Sequence, residues 1–500
     1  MTTTPETSGA AAKAPDAPDA TLDSAPHATA PDYGVLRWLV AATFIVILNE
    51  TIMINAIPRL TAELEVSKST AQWLTSAFML TMAVVIPITG WFLQRVTTRQ
   101  AFGSAMAVFA TGTLLCGVAP SFEVLLAGRI VQASGTAIMM PLLMTTVMTL
   151  VREQDRGRIM GNVTLAMSVA PALGPTVSGV ILDVASWRWM FLLVLPLSVA
   201  IGLVGLAKLT DVGETRPSHL DWTSVVLSAL GFGPLVYGLS ELGGEDGATA
   251  TAWIALGVGV AAIVAFVLRQ LSLQRGGTPL LDLRTLQHRT FTIGLALMAV
   301  AFMAMLGSMI LLPFYLQDVH GLDELQSGLM VMPGGLAMGL LGPQVGKVYD
   351  RVGGRPLLVP GAVGILLALT LFTQVSVEQP VWLVLPVHVL LMVSLAMVFT
   401  PVFTLSLGSL PPHLYSHGSS TLGALQQVAA AAGTAIVIAV LTARSSARAE
   451  AGAEPLQALV GGMRWGFGVG AVLGVAVLVL ALMMPGRVTA QEGAPAPVAH

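Results

Sequence analysis

An all-α membrane protein of fourteen transmembrane helices is the fold class this sequence predicts, on three observations. Hydrophobic residues fill 55% of the 500 positions and charged residues only 10%, where a soluble domain carries about 25% charged. The apolar residues gather into fourteen runs, each near the ~20 residues that cross a hydrocarbon core as a helix. Most of the 24 Lys+Arg fall in alternate connecting segments, the asymmetry that marks a cytoplasmic face. Merging one pair of runs would leave twelve spans, but the charge alternation fits fourteen with both termini inside. Mean hydropathy is +0.80. The net charge of −3 carries no information about partners, and no nucleic-acid partner is expected.

Residues 1–32 are rich in Ala, Pro, Thr and Asp without apolar periodicity. They cannot bury a core and read as a disordered tail, and they lack the basic start and apolar stretch of a signal peptide. The first six spans are expected at Val35–Ile57, Gln72–Leu93, Gln100–Ala119, Val124–Leu150, Ile159–Val184 and Trp189–Lys208. Trp222–Leu242 and Thr249–Leu271 follow, and then Phe291–Leu316, Gln326–Val348, Pro356–Gln374, Pro380–Leu407, Ser419–Thr442 and Met463–Met484. Residues 487–500 read as a second loose tail. Gly90 and Gly346 open matching stretches after the second and tenth spans, 256 positions apart, and Pro58 and Pro313 repeat at nearly the same offset. This points to two homologous six-helix halves, 33–210 and 289–486, separated by an insert of two helices and a loop over 211–288. Internal repeats of this kind build alternating-access transporters.

Glu50 stands inside the first run, where a charge costs several kcal/mol and marks a functional site by default. Burial disfavours its charged form, which suits a group that takes up and releases protons. The pattern also fits a carboxylate fixed by a hydrogen-bonded partner. Asn49 adjoins it, and Thr51 and Asn55 form a polar i,i+4 pair. Arg129 is the cation placed well inside a span, and Arg129, Gln132, Thr136 and Met140 share one helix face. An arginine keeps its proton, so it either tunes a carboxylate or holds a polar network; Glu50 opposite Arg129 is the pair expected to matter. In the fifth span Pro171, Gly174, Pro175, Ser178 and Gly179 make either a hinge or a close-packing face. Gln426 and Gln427 fit cavity-lining groups or interhelical bonds. His388 fits a proton relay or a ring held in place by a hydrogen bond. The 24 methionines fit an adaptable pocket or ordinary filler, and the lone Cys116 reads as a small core residue.

These residues reach a family. Gly90 to Arg99 and Gly346 to Arg355 resemble the G-x-x-x-D-R-x-G-x-R loop of the major facilitator superfamily. Further stretches are similar to the fourteen-span drug:proton antiporters of the EmrB/QacA type: Leu48 to Pro58 (LNETIMINAIP), Arg129 to Gly135 (RIVQASG), Gly174 to Gly179 (GPTVSG), Trp187 to Phe191 (WRWMF), Asp221-Trp222 and Pro279 to Leu283 (PLLDL). The LNETIM form is closest to the lincomycin-resistance-like branch. Two departures stand out. The family acid aligns with Asn49, the carboxylate having moved to Glu50, and Gln94 replaces the acid of the first loop while Asp350 keeps it in the second.

The resemblance implies a major facilitator fold and proton-coupled export of amphipathic small molecules, lincosamide-like antibiotics or the cell's own metabolites, by a chain in the cell membrane. Glu50, Asn49 and Arg129 would couple protons, and Asn55, Gln132, Thr136, Met140, Gln426 and Gln427 would line the substrate cavity. Pro171, Gly174, Pro175 and Gly179 would form the hinge. Gly90, Arg95, Arg99, Gly346, Asp350, Arg351 and Arg355 would form the cytoplasmic gate, locked by ion pairing of Asp350 with Arg351 or Arg355. The expected partners are the small-molecule substrate, protons and the lipid bilayer, with the chain a monomer. No nucleotide-binding loop, metal-ligand spacing or nucleophile motif occurs, so no cofactor or metal is expected and the energy would come from a proton gradient. Proton-coupled uptake is the competing transport reading. A lipid-modifying enzyme would have to rest on His413, Tyr415 and His417.

Overall fold

Long apolar stretches in a bilayer must satisfy their own backbone polar groups, and helices do this within one segment. The computed structural model of the protein describes residues 33–487 apart from 54–55, 213–214, 216–218, 243–248 and 277–278. The expected tails, 1–32 and most of 487–500, and the cavity candidate Asn55 lie outside the described residues. Fifteen α-helices and no strand occur among those described. They are α1 (Gly34–Ile52), α2 (Ile57–Glu63), α3 (Lys68–Arg95), α4 (Thr98–Gly117), α5 (Phe122–Leu150), α6 (Arg156–Val184) and α7 (Arg188–Lys208). Next come α8 (Trp222–Leu242), α9 (Ala250–Gly276), α10 (Arg289–Phe314), α11 (Glu324–Val352), α12 (Arg355–Phe372), α13 (Val384–Gly408), α14 (Tyr415–Glu450) and α15 (Pro455–Met483). All but α2 contribute to fourteen helices long and apolar enough to cross a membrane.

Helix ends differ from the apolar runs where polar capping takes over. The first run was expected to Ile57, but α1 stops at Ile52 and a proline starts α2; proline begins helices more readily than it continues them. Glu50 therefore lies in the last turn of α1. The stretches from Gly90 and from Gly346 are helical to Arg95 and Val352, so what reads as loop is mostly the end of a helix leaving the bilayer. Helix α14 overshoots its apolar run at both ends; past Thr442 the Ala- and Arg-rich extension favours helix without being apolar. Thr97 with Gln100 and Asp323 with Gln326 form capping boxes at the starts of α4 and α11.

The two six-helix halves repeat one packing scheme. Helix α1 lies on α5, α6 and α7 as α10 lies on α13, α14 and α15. Helix α5 packs with α3 and α4 as α13 packs with α11 and α12. Between the halves α6 meets α11, and α3 meets α14. The inserted pair α8 and α9 pack on each other, with α8 set against α3 and α14. Apolar side chains on the outer helices face away from the core, among them Leu203, Trp253 and Val472, as a lipid-facing surface requires. Tyr33 bonds to Asp155, and Gly354 bonds to Gly486, so both ends of the described chain lie at the end that also carries Arg95, Arg156 and Arg351. We call this the basic end.

The α6–α11 seam is unusually close. A Cβ on Gly346 would sit 2.0 Å from the Gly157 carbonyl, and one on Gly161 would sit 2.3 Å from that of Gly342. Only glycine permits backbones to meet at that distance.

Candidate functional site

Between the halves lies a cavity of about 750 Å³. Its floor and walls are mostly apolar, with methionines from α3, α5, α6 and α10 such as Met79, Met140, Met167 and Met305. Unbranched thioether side chains adapt their shape to varied contents. Besides threonine and serine hydroxyls, the polar groups lining it are Glu50 from α1, Arg129 from α5, Tyr237 from α8, and Gln426 and Gln427 from α14. Gln426 Nε2 has no partner among the described residues, and Gln427 Nε2 reaches only the Met82 sulfur at 3.9 Å.

Arg129 is 1% exposed. Its Nη1 donates to Gln132 Oε1 at 2.6 Å and more weakly to Asn49 Oδ1 at 3.5 Å, and its Nε donates to the Leu74 carbonyl at 3.4 Å. The guanidinium also lies over the Phe78 ring, 4.1 Å from its centroid, which adds a desolvated cation–π contact. Gln132 passes the network on, its Nε2 donating to Thr113 Oγ1 at 2.8 Å. All these acceptors are neutral. No carboxylate lies within 4.0 Å of Arg129 among the described residues, and Glu50 has no hydrogen bond or ion pair there. Adjacent helical positions point about 100° apart, which explains the division of labour: Asn49 is wholly buried behind α1 and touches Arg129, while Glu50 is half-buried and faces the cavity.

Glu50 and Arg129, the pair expected to matter, line one cavity without bonding to each other, and Asn49 takes the hydrogen-bonding place at Arg129. Gln132 is a correction: it is spent on Arg129 and Thr113, off the cavity surface. Thr136 and Met140 do line the cavity, as do Gln426 and Gln427.

In the fifth span Pro171 lines the cavity, and Gly174 admits Thr51, whose Oγ1 would lie 2.4 Å from a Cβ there. Pro175 stands near Gly328 of α11. Gly179 departs from the close-packing expectation, since a Cβ there would meet nothing within 4 Å. At the basic end the lock differs from the expected ion pair. Asp350 accepts from the Gly157 and Arg158 amides at 2.7 and 2.8 Å, capping α6 from the other half. Free N–H groups and the positive end of the helix dipole make that terminus an anion site. Neither Arg351 nor Arg355 pairs with Asp350; the Arg351 carbonyl accepts from Arg487 at 2.6 Å, and Arg355 opens α12.

At the symmetry-related place, Gln94 Nε2 donates to the His413 carbonyl at 2.9 Å, a bond a carboxylate could not make. Gly90 lies against the His417 ring. Arg95 rests over Trp91, and the Arg99 amide donates to Asp211 at 3.0 Å. Bonds to Thr97 and to that amide hold the Asp211 carboxyl below its usual range. Further clasps between halves join Thr89 to Ser420, Thr145 to Ser419 and Thr164 to Thr400. His413 is exposed while Tyr415 and His417 are buried, so the three do not form an enzyme-like cleft. His388 bonds the Val331 carbonyl at 3.2 Å.

The Asp221–Arg269 clasp joining α8 to α9 was outside the sequence reading's list of functional residues. Arg269 donates two bonds of 3.0 Å to Asp221. The Asp-Trp opening of the seventh run was its only signal.

Comparison with known proteins bears on the whole chain. The Major Facilitator Superfamily pattern matches residues 39–434. An uncharacterized MFS-type transporter, YcnB of Bacillus subtilis (strain 168), is 36% identical over 91% of this chain and 96% of its own. The lincomycin resistance protein LmrB of Listeria innocua serovar 6a is 36% identical over 83% of this chain and 88% of its own. Among solved structures, the human organic anion transporter MFSD10 superposes with a TM-score of 0.62 at 16% identity, over 90% of this chain and 100% of that one.

Proposed function

The chain belongs to the Major Facilitator Superfamily, and from that premise we propose that it exports amphipathic small molecules in exchange for protons by alternating access. It is a multi-pass membrane transporter and not an enzyme. The basic end is read as cytoplasmic, by the distribution of Lys and Arg, and both ends of the described chain lie at it. The clasps made by Asp350, Gln94, Thr89 and Thr164 then describe a conformer closed on the cytoplasmic side.

The observation that carries the proton assignment is the unpaired state of Glu50 in a cavity that also contains Arg129. An ionised carboxylate among apolar walls is costly unless something compensates it. Two compensations are open to Glu50: a proton, or a ligand that brings a positive charge or hydrogen-bond donors. Because both act on one group, each favours release of the other, and that competition is what exchange requires. Arg129 holds its place through neutral oxygens, leaving its field directed into the cavity without consuming Glu50. The substrate class follows from the walls: apolar bulk against methionine, with few polar groups and one acid, fits a neutral or weakly cationic amphipath. A relative whose name records lincomycin resistance supports testing lincosamides first.

The test is vesicles carrying the purified chain under an imposed pH gradient, with lincomycin as probe. Accumulation driven by the gradient, abolished in Glu50→Gln while thermal unfolding stays unchanged, is the expected result. Gradient-driven accumulation by that variant at the wild-type rate would remove the proton assignment.

A further inference from the structure

A second chamber of about 500 Å³ adjoins the main cavity on its α6–α11 side. Eight residues line both, and three of them, Met167, Met305 and Met309, are flexible thioethers, which can shift to let one ligand span the two spaces. Beyond these shared residues the lining is mostly apolar, with Met332, Met338 and Phe399 in it and Thr164, Ser168, Gln317 and Ser327 as further polar groups; Phe399 stacks on Phe302 at 5.0 Å. His388 is the titratable group in this chamber. It is 2% exposed, and the bare backbone of Gly334 leaves room for it, since a Cβ there would lie 2.3 Å from the ring.

The chemistry of that ring is fixed by its neighbour. Nε2 faces the Val331 carbonyl at 3.2 Å, and a carbonyl only accepts, so in the neutral ring Nε2 carries the hydrogen. Nδ1 is then a lone-pair acceptor, and no described residue donates to it. A buried acceptor in an apolar chamber recognises a hydroxyl or amine N–H and discriminates against a molecule lacking one.

We propose that the second chamber is a ligand subsite, in which His388 Nδ1 accepts a hydrogen bond from a hydroxyl or amine on the apolar end of the transported molecule. This rests on the export reading for its biological use, but binding tests it alone. A compact ligand would occupy only the Glu50 chamber, whose lining includes α3, α6 and α14 but not α11. A longer one reaching His388 would also touch α11, and so would contact both sides of each seam that must move for the cavity to change sides.

The experiment is equilibrium dialysis of the purified full-length chain against doxorubicin, which carries hydroxyls and an ammonium, and tetraphenylphosphonium, which has no donor. His388→Leu should weaken doxorubicin binding about tenfold, the worth of one buried hydrogen bond, and leave tetraphenylphosphonium within twofold. His388→Gln, which keeps an acceptor, should recover most of the loss. Met332→Trp, which fills the chamber without touching His388 chemistry, should reproduce the doxorubicin defect. The proposal is overturned if wild type binds no doxorubicin, if His388→Leu weakens both probes alike or neither, or if Met332→Trp expels a co-purified phospholipid with doxorubicin unaffected. If binding behaves as expected but neither probe moves across vesicles, export fails and the subsite stands.

Discussion

Asn49 and Glu50 are one bond apart in sequence and do different work. Asn49 supplies a neutral acceptor to Arg129, and its Nδ2 is left without a partner; Glu50 keeps its carboxylate for the cavity. Arg129 needs the shape of a guanidinium, because it serves Gln132, Asn49, the Leu74 carbonyl and the Phe78 face together. A lysine has a point charge and cannot span that set. Arg129→Lys is therefore expected to lower transport at least tenfold and stability by about 1–3 kcal/mol, read by vesicle uptake and thermal unfolding of the same sample. The intramembrane Glu50, Arg129, Thr136, Met140 and the two glutamines were legible in the sequence, since a polar residue in an apolar run is conspicuous. Which of them touch was not legible. A rotation of about 100° between neighbours separates Asn49 from Glu50, and only the packing of α1 on α5 and α6 decides which one meets Arg129.

At the scale of elements, the seam between α6 and α11 depends on paired glycines and on one carboxylate capping a helix across the halves. Asp350→Asn keeps the acceptor but loses the charge at the α6 terminus, which is worth about 1 kcal/mol. The state closed at the basic end should weaken about fivefold, seen as a shift in distance populations between spin labels on α6 and α11. Gly161→Val should prevent close approach altogether and fix the cavity open at the basic end, measured as labelling of cysteines introduced beside Gly161. The sequence marks Gly346 as part of a gate loop, does not single out Gly157, Gly161 or Gly342, and pairs the acid with an arginine. Loop motifs show which residues are present, and the helix terminus that receives Asp350 lies 193 residues away.

The inserted helices have their own clasp. The two bonds from Arg269, with those from the Ser224 hydroxyl and amide, hold the Asp221 carboxyl at about 2, against about 4 for a free one. A depressed folded value means the clasp stabilises the pair fully above the ordinary carboxylate range. That contribution fades as pH falls from about 4 through about 2. Asp221→Asn should remove this acid dependence and cost about 1 kcal/mol at neutral pH, measured by unfolding against pH.

For the whole molecule, two copies of one helix-packing scheme meet along two seams, and the cavity lies between them. The number of spans, the repeat and the insert could be read from apolar run lengths, loop charges and the 256-residue offset. The second chamber could not, because its lining comes from α1, α6, α10, α11 and α13, which sequence order does not bring together. Substrate and proton are held to be alternatives for one carboxylate, and the most direct measurement is proton release on ligand addition. Lincomycin, doxorubicin or tetraphenylphosphonium added to the purified chain in weakly buffered detergent should release close to one proton per bound ligand near neutral pH, and Glu50→Gln should bind but release none. Release of the same size from Glu50→Gln, or binding by wild type with no proton leaving, would contradict the account.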